Sequence, residues 1–392
     1  MVLISVTTII PFFLETLGAS TFQLAIAAST AMICNFVMQP FFGSIASRSQ
    51  KLHKTFGKIL LLQRLIFFAF VLSIPLFINA SNVLVWLFII FWGIFNLFAG
   101  SYNIFVTPLM LKLLPPGKRG TVRGIGGAVG SGLGVVVAAL IPVIIGGILF
   151  PYNYVLIFSL GLFFLFINAV QFLFMREHED TVPRVPMSIG QYIKEMPSSI
   201  GKNKAFGAMI LTFTFLLVAN SLLTYYTLYA IRVFEATESH IAALSGMAIV
   251  SGAVGSVFFG FLVDRHGPKT TSIITAFLVM SAGGIALTTH SLNFLFAAWI
   301  FANMANSGYF ISVNLLIEEV SPPAKLPLHV GVLTIISMAL SSTVLITLAP
   351  LLESAGFTVL FATVFSCGLI SLLFNLFILR KFLKVKKLDS AV

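Results

Sequence analysis

The sequence predicts an all-α integral membrane protein made of one six-helix unit used twice, and three observations carry that prediction. Of 392 residues, 58% are hydrophobic and 9% charged, with 41 Phe, and the mean hydropathy of +1.05 lies far outside the soluble range. Apolar runs of about 20 residues, enough to cross a hydrocarbon core roughly 30 Å thick, recur along the chain. Strands of alternating polarity do not recur, which argues against an outer-membrane barrel. Finally, landmarks repeat. Gly43 and Arg48 in GSIASRSQK map onto Gly260 and Arg265 in GFLVDRHGPK at an offset of 217. Pro115, Pro116 and Lys118 map onto Pro322, Pro323 and Lys325 at 207, and Pro142 onto Pro350 at 208.

Twelve spans follow: 2–17, 23–45, 59–78, 83–111, 122–149, 155–175, 206–231, 241–263, 271–289, 294–317, 330–352 and 359–379. The net charge of +11 could point to nucleic acid, but its placement argues against that partner. Counting alternate connections sorts Arg48, Lys51, Lys54, Lys58, Lys112, Lys118, Arg119, Arg123, Arg265, Lys269, Lys325, the 176–204 segment and the tail from Arg380 to one side. By the positive-inside rule that side, with the C-terminus, is cytoplasmic. The basic tail can also touch anionic lipid headgroups. Cys34 and Cys367 lie in apolar spans with no CxxC, so neither a disulfide nor a metal site is expected.

The first span is short, since Met1 to Leu17 offers only 17 residues, with Pro11 among them. Carrying the 217 offset back from span seven places its start about a dozen positions before Met1, so the cytoplasmic half of the first helix is expected to be missing. A signal peptide is not expected, because a charged n-region and a small-residue cleavage site are both absent. Gly18-Ala19-Ser20 forms a tight exterior turn, and the second span holds Asn35, Gln39 and Pro40. The third begins with Arg64 just over a turn inside it, where a long side chain can snorkel to the surface. The fourth carries Asn96, Tyr102, Asn103 and Pro108 and stops at PPGKRG.

In the fifth span Gly126, Gly130 and Gly134 form one row of small residues, and Gly120, Gly124, Ala128 and Gly132 a neighbouring one. Gly252, Ser256 and Gly260 do the same in the eighth. Close helix packing accounts for these rows, and such seams also let helices slide. Residues 176–205 form a cytoplasmic linker with a short surface helix near 189–196, too small for a folded catalytic domain. It separates an N-terminal bundle, 1–175, from a C-terminal one, 206–392, that ends in the basic tail.

With motif, repeat and span count assembled, the chain resembles the major facilitator superfamily of secondary transporters. Its signature, G-x-L-x-D-R-x-G-[RK]-[RK], follows the second and eighth helices. Gly260, Leu262, Asp264, Arg265, Gly267 and Lys269 match it closely, whereas the first copy keeps Gly43 and Arg48 but has Ser47 and Gln50 where the family has Asp and Gly. The resemblance implies two bundles related by a pseudo-twofold axis, alternating access, and a cavity lined by helices 1, 4, 7 and 10. It also implies that Asp264 can accept hydrogen bonds from a neighbouring helix N-terminus, and that losing the acid at Ser47 shifts the inward-facing balance onto the second copy. Pro142 and Gly146-Gly147 loosely resemble the glycine-proline signature of the superfamily's antiporters, one residue too long, a hint toward export.

On those cavity helices Asn96, Asn103, Asn220, Tyr225, Tyr226, Tyr229, Asn303, Asn306 and Tyr309 are the substrate candidates, with Asn314 nearby. Amides and phenols suit an uncharged or zwitterionic ligand, and interhelical hydrogen bonding is an equal account of each one singly. Glu15 and Arg232, repeat counterparts at 217, are candidates for an exterior gate pair, with Glu15 a candidate proton carrier. The plainer account is two interfacial charges. Glu318 and Glu319 close the tenth helix, available to Lys325 or the Arg123 region.

The expected function is therefore secondary transport of a small neutral or amphipathic molecule by a monomer without cofactor, uptake or efflux left open, in a bacterial cytoplasmic membrane. The coupling ion is left open, with a proton carried by Glu15 as the candidate. A transporter-like sensor or scaffold would share the fold, and only turnover separates it. A membrane-embedded enzyme on lipid substrates is the weaker alternative, since His53, His178, His240, His266, His290 and His329 are scattered and no HExxH or paired Asp motif occurs.

Overall fold

The computed structural model describes residues 9–115, 117–176, 186–236, 238–288 and 291–379. Fifteen helices follow in order: α1 (Ile9–Thr16), α2 (Thr21–Val37), α3 (Gln39–Arg48), α4 (Leu52–Phe77), α5 (Ser81–Ala99), α6 (Ser101–Leu113), α7 (Arg119–Gly147), α8 (Tyr152–Phe174), α9 (Ile189–Lys202), α10 (Lys204–Ser221), α11 (Thr224–Phe234), α12 (Glu238–Thr288), α13 (Leu292–Val320), α14 (Leu326–Ala355) and α15 (Phe357–Leu373). No strand interrupts them among the described residues, as the apolar periodicity predicts.

Nine helices among the described residues are long and apolar enough to cross a membrane. One of them is two spans in sequence. Inside α12, Gly267 takes φ +82°, a left-handed conformation that a side chain resists, and Pro268 restarts the helix behind it. The motif thus supplies its own turn. Three expected spans are broken rather than continuous: α2 gives way to α3 at Met38, just before Gln39-Pro40, α5 to α6 at Gly100, and α10 to α11 at Leu222 and Leu223. Phe174 and Leu149 are 81% and 86% exposed, which water would penalise and lipid does not.

Local signals set the helix starts. Ser20 Oγ accepts the Gln23 N–H at 3.2 Å while Gln23 Oε1 accepts the Ser20 N–H at 2.8 Å, a capping box for α2. Asn203 caps α10 through Phe206 N–H at 3.1 Å, and its amide donates to the Val320 carbonyl at 2.7 Å.

The chain divides into two compact units, residues 1–113 with 133–192, and 114–132 with 193–392. The division differs from the boundary of the sequence repeat, because the first half of α7 keeps company with α12. In the first unit Phe13 is the hub. It meets Phe158 edge-on at 5.3 Å and Tyr154 at 5.0 Å, while Phe70 meets Phe88 at 5.2 Å. Such pairs contribute about 0.5–1.5 kcal/mol each beyond burial, and among helices already in lipid this packing is what holds a bundle together. In the second unit Phe361 receives Tyr226 at 5.1 Å and Tyr229 at 4.7 Å, both edge-on.

Candidate functional site

The second motif copy is assembled around one carboxylate. Asp264 Oδ1 accepts the backbone N–H of Gly120 at 2.8 Å, and Oδ2 that of Thr121 at 2.6 Å. These are amide groups at the start of α7, where a helix has no internal acceptors and carries the positive end of its dipole. The approach is possible because both helices are bare at the crossing. A methyl group added at Gly120 would strike the Gly260 carbonyl and Val263, and one added at Gly260 would lie 2.7 Å from the Gly120 carbonyl. Sequence reading anticipated both the acceptor role of Asp264 and the small-residue seam.

Beside it, Arg119 donates from Nη1 to both oxygens of Glu318 at 2.5 Å and from Nε to the Leu114 carbonyl at 2.9 Å. Glu318 therefore pairs one turn before Arg123, and Lys325 goes elsewhere, to Glu195 of α9 at 2.6 Å. Arg265 is exposed, and Gly267 makes the turn described above.

The first copy is put to a different use. Ser47, at the acid's position, accepts the Met187 N–H at 3.0 Å and donates to the Ser44 carbonyl at 2.8 Å. The Met187 carbonyl in turn receives Ser44 Oγ at 2.7 Å and Arg48 Nε at 3.0 Å. Two serines and an arginine thus grip one backbone residue just ahead of α9. Gly43 completes the dock, since its missing side chain is the space filled by the Tyr192 ring. Burial pushes the Tyr192 phenol well above the usual tyrosine range. This linker dock is invisible in the linear sequence because the ligand is main chain; Ser44, Ser47 and Arg48 on successive turns were the available signal.

The expected cavity residues separate into distinct environments. In the second unit Asn220 Nδ2 donates to Asn306 Oδ1 at 2.5 Å. With Tyr226, Tyr309 and Thr275 they line a cavity of about 10 Å³, room for one water molecule. The Tyr226 hydroxyl is fully buried with no partner. Tyr225 donates to the Leu345 carbonyl at 3.2 Å, and Tyr229 packs among Phe234, Phe357 and Phe361. Asn96 and Asn303 spend their amide donors on the carbonyls of Trp92 and Trp299, four residues back, at 2.8 and 2.9 Å. Asn103 is exposed on α6 in the first unit. Glu15, in the first unit, and Arg232, in the second, are both exposed at helix ends.

One expectation is overturned. Arg64 does not snorkel: it is 4% exposed, with Nη1 on the Gln63 side-chain oxygen and Nε 3.4 Å from the Leu165 carbonyl. It lies on the buried face of α4 with Leu60, Gln63 and Phe67, so its side chain points into the bundle rather than along the surface.

Comparison with known proteins adds a lineage. The family profile described as Major Facilitator Superfamily matches residues 1–252 and again 208–390. No curated protein matches the sequence. Among solved structures, a bacterial homologue of the iron transporter ferroportin in an outward-facing state superposes with a TM-score of 0.73 at 16% identity, covering 94% of each chain. The E. coli fucose:proton symporter FucP gives 0.72 at 14%, covering 95% of this chain and 94% of that one. The proton:xylose symporter XylE bound to 6-bromo-6-deoxy-D-glucose gives 0.69 at 14%, covering 91% and 86%. At these identities the likeness is one of fold.

Proposed function

The chain belongs to the major facilitator superfamily, and from that premise we propose that it is a secondary transporter moving a small amphipathic molecule by alternating access. The observation that supports this reading is the capture of the α7 N-terminus by Asp264. Two backbone bonds to one carboxylate, across a glycine seam, form a fastening that can be undone without unfolding either helix. Alternating access needs such a fastening on the cytoplasmic side, formed in one state and released in the other.

In this reading Asn220, Asn306 and Tyr309 belong to the polar wall of the substrate route, and Glu15 with Arg232 to an exterior gate. Glu15 carries the coupling proton. The protein works as a monomer in a bacterial cytoplasmic membrane with its C-terminus inside. Export is the proposed direction, on the glycine-proline pattern of α7 alone.

The test is a thermal-shift screen of the purified protein against sugars, amino acids, nucleosides and hydrophobic drugs, followed by flux of any stabilising compound in proteoliposomes. A compound at a hundredfold excess over its Kd adds about 2.7 kcal/mol. Gradient-driven flux of that compound is the expected result. Binding without flux would favour a sensor and end the transport reading. Flux whose pH dependence survives Glu15→Gln would remove Glu15 from coupling.

A further inference from the structure

Arg64 poses a problem that the transport reading alone leaves unsolved. It sits 12 residues past the first residue of α4, about 18 Å along a 26-residue helix at 1.5 Å per residue, and so near the middle of the span. Its side chain is buried, yet no carboxylate meets it among the described residues. Among the described residues of the first unit Glu15 is the one acid, and it is exposed at the end of α1. An ionised group inside a membrane bundle is costly without a counter-charge, and those that persist mark sites of function.

The guanidinium is half used. Of its five N–H groups, Nε reaches the Leu165 carbonyl and one on Nη1 reaches Gln63, whose own amide is anchored on the Phe95 carbonyl at 2.7 Å. Gln63 therefore holds the guanidinium in place without neutralising it. Three N–H groups remain, one on Nη1 and two on Nη2, donors enough for the two oxygens of a carboxylate or sulfonate. On α6, Tyr102 packs edge-on against Phe56 of α4 at 5.9 Å and is itself 48% exposed. Phe67 on the same face of α4 and Phe95 opposite meet at 5.3 Å, giving the site an apolar wall.

We infer that Arg64 is the counter-charge for a singly charged organic oxyanion, a monocarboxylate or monosulfonate with an apolar body, bound in the first unit between α4, α6 and α8. That this anion is the cargo rests on the transport reading; that it binds does not. One cation that meets no carboxylate among the described residues sets the charge at one, and the Phe67 and Phe95 rings set the apolar body. The amphipathic substrate of the previous section thereby acquires a charged head.

Thermal unfolding of the full-length protein tests this with matched pairs at constant ionic strength: benzoate, phenylacetate and cyclohexanecarboxylate against their amides. Expected is a saturable rise in Tm for at least one acid and none for its amide. Arg64→Gln should lose that rise, and Arg64→Lys, which keeps the charge but not the fork, should weaken the apparent Kd by about tenfold or more. If no acid stabilises the wild type more than its amide does, or if the acid-specific rise survives in Arg64→Gln, the anion site is wrong. The wild-type comparison decides even where a variant folds poorly. An amide that binds and is carried into proteoliposomes would overturn the anion and leave transport standing. An acid that binds through Arg64 but is never moved would leave the anion site and overturn transport.

Discussion

Asp264 Oδ2 accepts the backbone N–H of Thr121 at 2.6 Å, a side chain from one span closing the amide end of another. A hydrogen bond to a charged acceptor contributes about 1.5–3 kcal/mol, roughly a ten- to hundredfold bias in any equilibrium that makes or breaks it. Asp264→Asn keeps one acceptor oxygen and loses the charge and the second bond. Hydrogen exchange at Gly120 and Thr121 should quicken by about tenfold or more in that variant. Unchanged protection would mean that the glycine seam alone holds the contact.

Releasing the linker should be as selective. Ser47→Ala removes the acceptor for Met187 N–H and leaves a buried backbone donor unpaired, at a cost of about 1–3 kcal/mol. Limited proteolysis near Met187 should accelerate severalfold, with little change in cleavage elsewhere.

The linker dock should also weaken in alkali. Burial raises the Tyr192 phenol, so the unfolded chain ionises first, near its ordinary value of about 10. The stabilisation is complete below that pH and is lost as pH rises above it, at about 1.4 kcal/mol per pH unit for one proton. Tm measured from pH 9 to 11 should therefore fall less steeply in Tyr192→Phe than in the wild type.

In the second unit, Asn220→Leu leaves the Asn306 amide without its partner and should cost about 1–3 kcal/mol, while Asn220→Leu with Asn306→Leu should recover part of the loss. Tyr226→Phe removes a hydroxyl that has no protein partner, so its Tm should equal or exceed that of the wild type. A fall in Tm would place a bound water in the 10 Å³ cavity.

The sequence carried the parts of this architecture that are written side by side. Asp264 to Lys269 are contiguous, and their turn, acceptor and glycine all appear where the pattern places them. The 207 offset even extends to hydrogen bonding, since Trp92 and Trp299 are also repeat mates and each accepts from an asparagine four residues on. Harder to read were contacts whose partner is main chain. Ser47 looked like a lost acid because the gain, a grip on Met187, leaves no mark in side-chain identity. Arg64 was misjudged because its distance from the helix end was weighed and its face was not. Leu60, Gln63, Arg64 and Phe67 share one buried stripe at helical spacing, and that stripe turns the charge inward.

Gly120 and Gly260 face each other closely enough that a methyl on either would press on the other's carbonyl. Their mutations should for that reason be read as one event. Either alanine alone forces the helices apart and sacrifices the Asp264 bonds, and once they have parted the second alanine has little left to damage. The pair should show strong epistasis, the double variant scarcely worse than the more harmful single. In any collection of descendant sequences, the two positions would lose their glycines together or keep both.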